Sequence, residues 1–100
     1  MSSHQIQVVG VAWFRRDDWS KVKAIFVDSH KLHEAYDDWL AAAEQFYRRI
    51  EGQGMRVEKV YIDPDTFPEW CRARGLRINA DARQEFAGFT VAQKYAGNSS

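Results

Sequence analysis

The sequence predicts an α+β fold that is mostly helical, with helices packed on a small, two-stranded, parallel sheet in the order β-α-α-β-α-α. Residues 6–14 form a nearly continuous apolar run rich in valine, which is typical of a strand buried on both faces. Residues 55–62 mix β-branched and charged side chains and indicate a second, more exposed strand. Between them, residues 31–51 repeat apolar side chains at three- and four-residue steps, the period of one helix face. Strands joined by a long helical crossover are normally parallel.

A shorter helix is expected before the long one. Residues 19–27 carry apolar side chains at helical spacing, although the end of this segment, residues 24–27, could form a strand instead. Acidic and hydroxyl side chains next to these segments are good helix caps, and glycine is common just past a helix end. The expected caps are Asp17 or Asp18 for the short helix and Asp28 or Ser29 for the long one, with Gly52 and Gly54 at its end.

The chain after the second strand predicts two further helices. Thr66 and Glu69 have the spacing of a capping box, in which the side chain of each residue accepts a hydrogen bond from the backbone N–H of the other. The third helix is expected to stop just before Gly75. Asn79 or Asp81 is expected to open the last helix.

The predicted sheet is too small to stand alone, because two parallel strands make a poor sheet. We therefore expect either a third strand that the sequence does not reveal or a second chain that completes the sheet. This predicts a homodimer or a protein partner. Large apolar side chains are expected to form the core: Val8, Val9, Val11, Trp13, Trp39, Leu40, Phe46, Val57, Val60, Phe67, Trp70, Phe86 and Phe89.

The composition narrows the function classes. The 100 residues include 14 Lys and Arg and 14 Asp and Glu, so the formal net charge is zero. A nucleic-acid binder usually carries a positive excess, which disfavours that class without excluding it. Zero net charge also favours self-association.

The compartment is predicted from cysteine usage and from the apolar runs. Cys71 is the single cysteine, so no disulfide can form within the chain and a reducing compartment fits. The chain starts with polar residues that lack a signal-peptide pattern, and no apolar run is long enough to span a bilayer. We expect a cytoplasmic protein without a membrane segment or a cofactor. Residues 1–96 should form a single domain and residues 97–100 a disordered polar tail.

Several short motifs spread along the chain carry a resemblance to known proteins. They are residues 14–19 (FRRDDW), 25–28 (IFVD), Trp39, 43–44 (AE), 62–65 (IDPD), Phe67, 70–71 (WC), 82–83 (AR) and 86–87 (FA). With these motifs the chain resembles a family of small, uncharacterised bacterial cytoplasmic proteins with no assigned activity. The resemblance covers most of the chain, and it implies a single bacterial domain but no catalytic residues.

The best candidate for metal binding is a group of two imidazoles and two carboxylates. On a helix covering residues 31–51 and its cap, these four side chains would share one face, where they could converge on an ion. The alternative is a solvated acidic helix start, which the helix dipole favours without any ligand. The four residues are His30, His33, Glu34 and Asp37.

A small-ligand site is possible where the first strand ends and a helix begins. Arg15, Arg16 and Trp19 lie at this corner, and open α/β sheets bind ligands at such positions. No glycine-rich phosphate loop accompanies them, so surface ion pairing is the alternative.

A nucleic-acid site is possible on the helical pair formed by residues 67–95. Arg72, Arg74, Arg77 and Arg83 lie on or near these helices and could bind phosphates. The alternative is an ordinary helical pair, because acidic residues neutralise the same region and the connection is long for a helix-turn-helix motif.

No catalytic residues can be named from the sequence. Cys71 could be a nucleophile beside arginines, but free cysteine is more often a buried structural residue. The leading interpretation is therefore a non-enzymatic module that self-associates or binds a protein partner, since large rings and arginines often anchor interfaces. Nucleic-acid binding and small-ligand or metal binding are the alternatives.

Overall fold

The computed structural model describes residues 8–96 and confirms the predicted α+β fold and the order β-α-α-β-α-α. The expected tail, residues 97–100, lies outside the described residues. Two short 3₁₀ turns, Arg16–Asp18 and Ser29–Lys31, flank the first helix. The strands and helices are β1 (Val8–Trp13), α1 (Trp19–Ile25), α2 (Tyr36–Gly52), β2 (Arg56–Tyr61), α3 (Phe67–Ala73) and α4 (Ala80–Ala96).

The two strands pair in parallel, as predicted, and the sheet lies between two helices. Val9 is opposite Val57, so these residues and every second residue after them share one face. On this face Val11, Trp13 and Val57 pack against Ile50 of α2. On the opposite face the core residues are Val60 of the sheet and Ala87 and Val91 of α4. The fold therefore has three layers: α2, the sheet and α4.

The largest core cluster lies beyond the carboxyl ends of the strands. Phe14 and Ile62 directly follow the two strands, and both are almost fully buried. The short helices α1 and α3 close this end of the sheet with apolar side chains. Cys71 is also buried here, and burial raises the pKa of its thiol, which fits a structural role better than a nucleophilic one. The other buried members are Trp19, Val22, Phe26, Phe67 and Ala82.

Gly10 allows α4 to lie unusually close to β1. A Cβ atom at this position would be 2.5 Å from the carbonyl oxygen of Ala87 and 2.7 Å from Cγ2 of Val91. The backbone of α4 therefore contacts the strand directly, and such a close approach is a common reason for a glycine inside a strand.

The start of α2 was predicted wrongly. The helix begins at Tyr36 rather than near residue 31, and both Leu32 and Ala35 have extended backbone angles. Tertiary hydrogen bonds hold this segment: the indole N–H of Trp19 donates to the carbonyl oxygen of Glu34, and the Tyr36 hydroxyl donates to that of Phe14. The long helix therefore loses its first predicted turn to contacts with the core.

Most of the predicted N-terminal helix caps were wrong, whereas Gly75 follows the end of α3 with a positive φ, as predicted. Asp17, Asp18 and Thr66 form no capping hydrogen bond with their side chains. Glu69 pairs with Arg72 instead of closing a capping box.

The last helix has the expected cap and one that was not expected. The Oδ1 atom of Asn79 accepts a hydrogen bond from the Ala82 N–H at 3.0 Å, as predicted. Asp28, which was expected to cap α2, instead accepts a hydrogen bond from the Ala80 N–H at 3.0 Å. Asp28 thereby connects the end of the α1 segment to α4.

Two predicted core residues lie at the surface. Phe46 of α2 is 45% exposed and Phe89 of α4 is 39% exposed. Both have helical spacing relative to buried neighbours, but a two-stranded sheet is too narrow to cover the full width of an apolar helix face.

Replacement of Gly10 by alanine should destabilise the fold. The added Cβ must displace the backbone of α4, and overpacking of this kind costs about 1–3 kcal/mol. Urea unfolding should show a lower free energy of unfolding for Gly10→Ala. Gly52→Ala is the matched control, since a Cβ there meets nothing within 4 Å. An unchanged stability for Gly10→Ala would contradict the close approach of α4.

Candidate functional site

No strand pairs with the outer edge of β1 in the part of the chain that the structure describes, and of its outward residues Ala12 is partly exposed while Gly10 is buried. The Ile62 N–H donates to the Trp13 carbonyl oxygen at 3.0 Å, so the backbone groups of Trp13 point toward β2. Alternate residues of a strand point their backbone groups to opposite edges, so those of Gly10 and Ala12 point outward. Among residues 8–96, the one hydrogen bond to these groups is long: Gln84 Nε2 lies 3.5 Å from the Gly10 carbonyl oxygen.

A groove of about 360 Å³ lies along this edge. It is lined by residues of both α2 and α4, which cover opposite faces of the sheet, and by Phe14 after the end of β1, so it lies beside the sheet and not on one of its faces. The Gln84 contact to the outward carbonyl of Gly10 places it at β1. We call it the β1-edge groove: its floor includes Val11 and Ala12, its α2 wall includes Trp39, Ala42, Ala43 and Phe46, and its α4 wall includes Ala80, Arg83 and Gln84.

The local sequence of α2 creates the depth of the groove. Ala42 and Ala43 have small side chains, which keep the helix surface low opposite the strand. Phe46 follows one turn later and remains 45% exposed, with its ring lining the groove. A large exposed ring beside an open strand edge is a surface that a partner can bury.

The outer edge of β2 is protected differently. Its outward groups belong to the residues that alternate with Ile62, which include Val57 and Lys59. The Tyr47 hydroxyl lies 3.5 Å from the Val57 carbonyl oxygen, and the Lys59 ammonium lies 4.5 Å from the centre of the Trp13 ring. A lysine on an edge strand disfavours pairing with another strand, which leaves the β1 edge as the better candidate.

Arg83 is the one charged residue among those that line the β1-edge groove. Its guanidinium lies 4.7 Å from the centre of the Phe26 ring and 3.5 Å from the Oδ1 atom of Asp28. Both side chains are largely buried, with 17% and 15% exposed. Burial lowers the pKa of Arg83, and Asp28 opposes this effect.

A second cavity, of about 390 Å³, lies on the other side of this ion pair. Its charged lining has both signs: Asp28 and Asp81 face Lys31 and Arg77, with His30 beside them. This balance of charge selects neither anions nor cations, so we do not assign it a ligand.

The predicted metal site is not formed. Residues 30–37 do not share one helix face, because α2 begins only at Tyr36. Two of the four side chains have other partners: Glu34 pairs with Lys23 at 3.0 Å and Asp37 with Arg16 at 2.6 Å. Among the described residues, no three His, Cys, Asp or Glu side chains are grouped to hold a metal ion, and neither His30 nor His33 belongs to such a group.

The predicted ligand corner is not an open site. Trp19 is buried in the core, and its indole N–H is used by the Glu34 carbonyl oxygen. Arg15 lies over the Tyr61 ring and Arg16 over the Tyr36 ring, so the two arginines are bound to different aromatic residues. The three side chains therefore do not converge on one ligand.

The four arginines of the predicted nucleic-acid site do not form one basic face. Arg83 is largely buried against Asp28, and Arg77 lines the second cavity. Arg72 pairs with Glu69, and Arg74 lies over the ring of Trp70 at 4.3 Å. Because the four side chains have different partners, they do not form the shared basic surface that phosphate binding would require.

Sequence reasoning missed the residues that form the β1-edge groove. Ala42 and Gln84 have no chemical signal of their own, and their importance depends on the position of two helices relative to one strand. The one available signal was the small number of strands, which predicted that the sheet is incomplete.

Comparison with known proteins adds no family to these observations. No protein-family model matches the chain, and neither the curated proteins nor the solved structures give a significant match. The resemblance to small bacterial proteins therefore stays a prediction. Within residues 8–96, no helix has the length and apolar character needed to span a bilayer.

Replacement of Asp28 by asparagine should destabilise the fold through the loss of its charge. The amide oxygen can still accept the Ala80 N–H, but a partly buried Arg83 would lose its counter-charge, at a cost of about 1–3 kcal/mol. The free energy of unfolding in urea measures this. Asp37→Asn is the matched control, because its pair with Arg16 is exposed and should contribute nothing measurable. Equal effects of the two substitutions would contradict a structural role for Asp28.

Proposed function

We propose that this protein is a non-enzymatic interaction module that binds an extended segment of a partner protein as a third strand. The segment would occupy the β1-edge groove, pair with the outward backbone groups of Ala12 and displace the Gln84 side chain from the carbonyl oxygen of Gly10. The observation that carries this proposal is the open edge of a two-stranded sheet that adjoins an apolar groove.

The physical gain from strand addition has two sources. Main-chain hydrogen bonds give affinity when a peptide adds to a sheet edge, and pockets for alternate side chains give specificity. The exposed ring of Phe46 would be buried at the same time, and full burial of such a side chain contributes about 1.5–3 kcal/mol.

An extended segment fits the groove better than β1 of a second copy. The backbone of α4 lies directly over Gly10, and paired strands are about 4.8 Å apart. A second β1 would bring its own α4 to a similar distance, whereas packed helices need about 8–10 Å between their axes. A strand without helices on both faces avoids this overlap.

Self-association through another surface is the second candidate, and an exposed aromatic patch favours it. The Arg74 guanidinium lies 4.3 Å from the centre of the Trp70 ring and 4.9 Å from that of Phe89, which is 39% exposed. Tryptophan and arginine side chains often carry most of the binding energy at interfaces. A homodimer through this patch would leave the β1-edge groove accessible.

We also infer a bacterial cytoplasmic protein. The resemblance to small bacterial proteins and the single unpaired cysteine support this inference.

Selection from a library of random displayed nonapeptides tests the strand-addition proposal. The wild-type protein should enrich peptides that a variant with a blocked groove does not bind. Ala42→Trp is a suitable block, since Ala42 is exposed and a large ring there fills the groove without changing the core. Ala41→Trp, at the exposed neighbouring position of α2, is the control and should bind like wild type. Equal enrichment by wild type and Ala42→Trp would reject the proposal.

Light scattering over a range of protein concentrations tests self-association. If the aromatic patch forms a dimer interface, wild type should have twice the monomer mass and Phe89→Ser should shift toward the monomer. Val27→Ser, at an exposed apolar residue that is not part of this patch, should leave the mass unchanged. A strictly monomeric wild type at all concentrations would exclude the homodimer and leave the partner-binding proposal unaffected.

A further inference from the structure

The charge and the two walls of the β1-edge groove indicate what kind of segment it binds. We propose that the bound segment carries an acidic side chain, which binds Arg83, next to a large apolar side chain, which binds the α2 wall. This inference rests on the proposed strand addition and names the chemistry of the partner.

Arg83 has hydrogen-bonding capacity that the described residues do not use. A guanidinium has five N–H donors. Within residues 8–96, its polar contact is the ion pair with Asp28, and the distance of 3.5 Å is long for a hydrogen bond. The Phe26 ring holds the guanidinium plane from one side. Arg83 also lines the β1-edge groove, so donors that the ion pair leaves free can bind an incoming carboxylate there.

The position of Asp28 leaves the groove side of Arg83 positive. Asp28 lines the second cavity and does not line the β1-edge groove. The rest of the groove lining is uncharged, so a second carboxylate would meet no like charge within it. Hydrogen bonds between a guanidinium and a carboxylate are short, often bidentate and about twice as strong as hydrogen bonds between two neutral groups.

The two walls set the spacing of the side chains in the partner. Successive side chains of a strand point to opposite faces, so a strand in the groove presents one residue to α4 and the next to α2. The α4 wall offers Arg83, and the α2 wall offers Phe46 beside the small Ala42. An acidic residue should therefore be adjacent in sequence to a large apolar residue.

Peptides selected on wild-type protein provide the test. Their sequences should be enriched in Asp or Glu directly beside a large apolar residue. Synthetic versions, acetylated and amidated so that the termini are uncharged, can be labelled with fluorescein and titrated by fluorescence anisotropy. Replacement of the acidic residue by its amide should weaken binding to wild type at least tenfold.

Protein variants separate the acid–arginine contact from general charge effects. The same acid-to-amide change should have little effect on binding to the doubly substituted Asp28→Asn, Arg83→Met protein, which keeps the site neutral. Arg72→Met, an exposed arginine on α3, is the control and should retain the full preference for the acid. Circular dichroism verifies that each variant is folded.

Three outcomes overturn the inference. Selected peptides without an acidic residue, or an acid-to-amide change that costs the same in wild type and in the double variant, would reject the Arg83 contact. In both cases, peptides that still require an open groove would leave the proposed strand addition intact. Peptides that bind Ala42→Trp as well as wild type would reject strand addition and this inference together. The peptide sequences alone decide the first outcome if the double variant does not fold.

Discussion

The lack of a side chain at Gly10 sets the distance between α4 and the sheet. The Ala87 carbonyl oxygen occupies the space where any Cβ would lie, so the helix contacts the strand backbone itself. On the opposite face, Trp13 and Val57 separate the sheet from α2. The sheet therefore has one thin and one thick interface, and helices cover both faces of the two strands. This arrangement helps to stabilise the small sheet, because parallel sheets occur almost only where both of their faces are buried.

The remaining stability comes from the end of the sheet rather than from its faces. Parallel strands have their carboxyl ends at the same end of the sheet, so Phe14 and Ile62, which follow the two strands, both belong to the main core cluster. Aromatic rings then pack edge to face around Phe14, with ring centres 5.9 Å away for both Trp19 and Phe26. Such pairs add about 0.5–1.5 kcal/mol each beyond the burial of their area. The core thus depends on residues that follow the strands as much as on residues within them.

Elements with strong local patterns could be predicted from the sequence, while their ends and contacts could not. The valine-rich run and the periodic apolar pattern of α2 correctly predicted the first strand and the long helix, and with them the order of the elements and the parallel pairing of the strands. The predicted start of α2 was wrong because polar atoms of Trp19 and Tyr36 hold the preceding segment extended, although its apolar residues have helical spacing. The prediction that Asp28 caps α2 was wrong because its carboxylate accepts the N–H of Ala80 at the start of α4, 52 residues away in sequence. Both of these errors arose where a tertiary hydrogen bond outweighed a local preference.

The candidate site was hidden from the sequence for a related reason. Arg83 resembles a surface arginine in the sequence, and only the fold shows that it is held between Phe26 and Asp28 beside a groove. The metal, ligand and nucleic-acid candidates were chosen by residue type, and the structure gives most of those side chains partners within the fold. The open strand edge, by contrast, is made of backbone groups, which every residue has. Its presence could be deduced from the strand count, but its location required the positions of α2 and α4.

The walls of the groove also explain how an open edge can be tolerated. An exposed, flat edge strand pairs readily with other edges, and proteins normally protect it with charge, bulges or cover. Lys59 and Tyr47 protect the outer edge of β2 in this way. At β1 the two helices extend past the strand, so another sheet with helices on its faces cannot approach, whereas a single extended segment can. In the proposed strand addition, the helices rather than the strand would decide which partners can pair, and Arg83, a charged residue on one of them, would add selectivity without closing the edge.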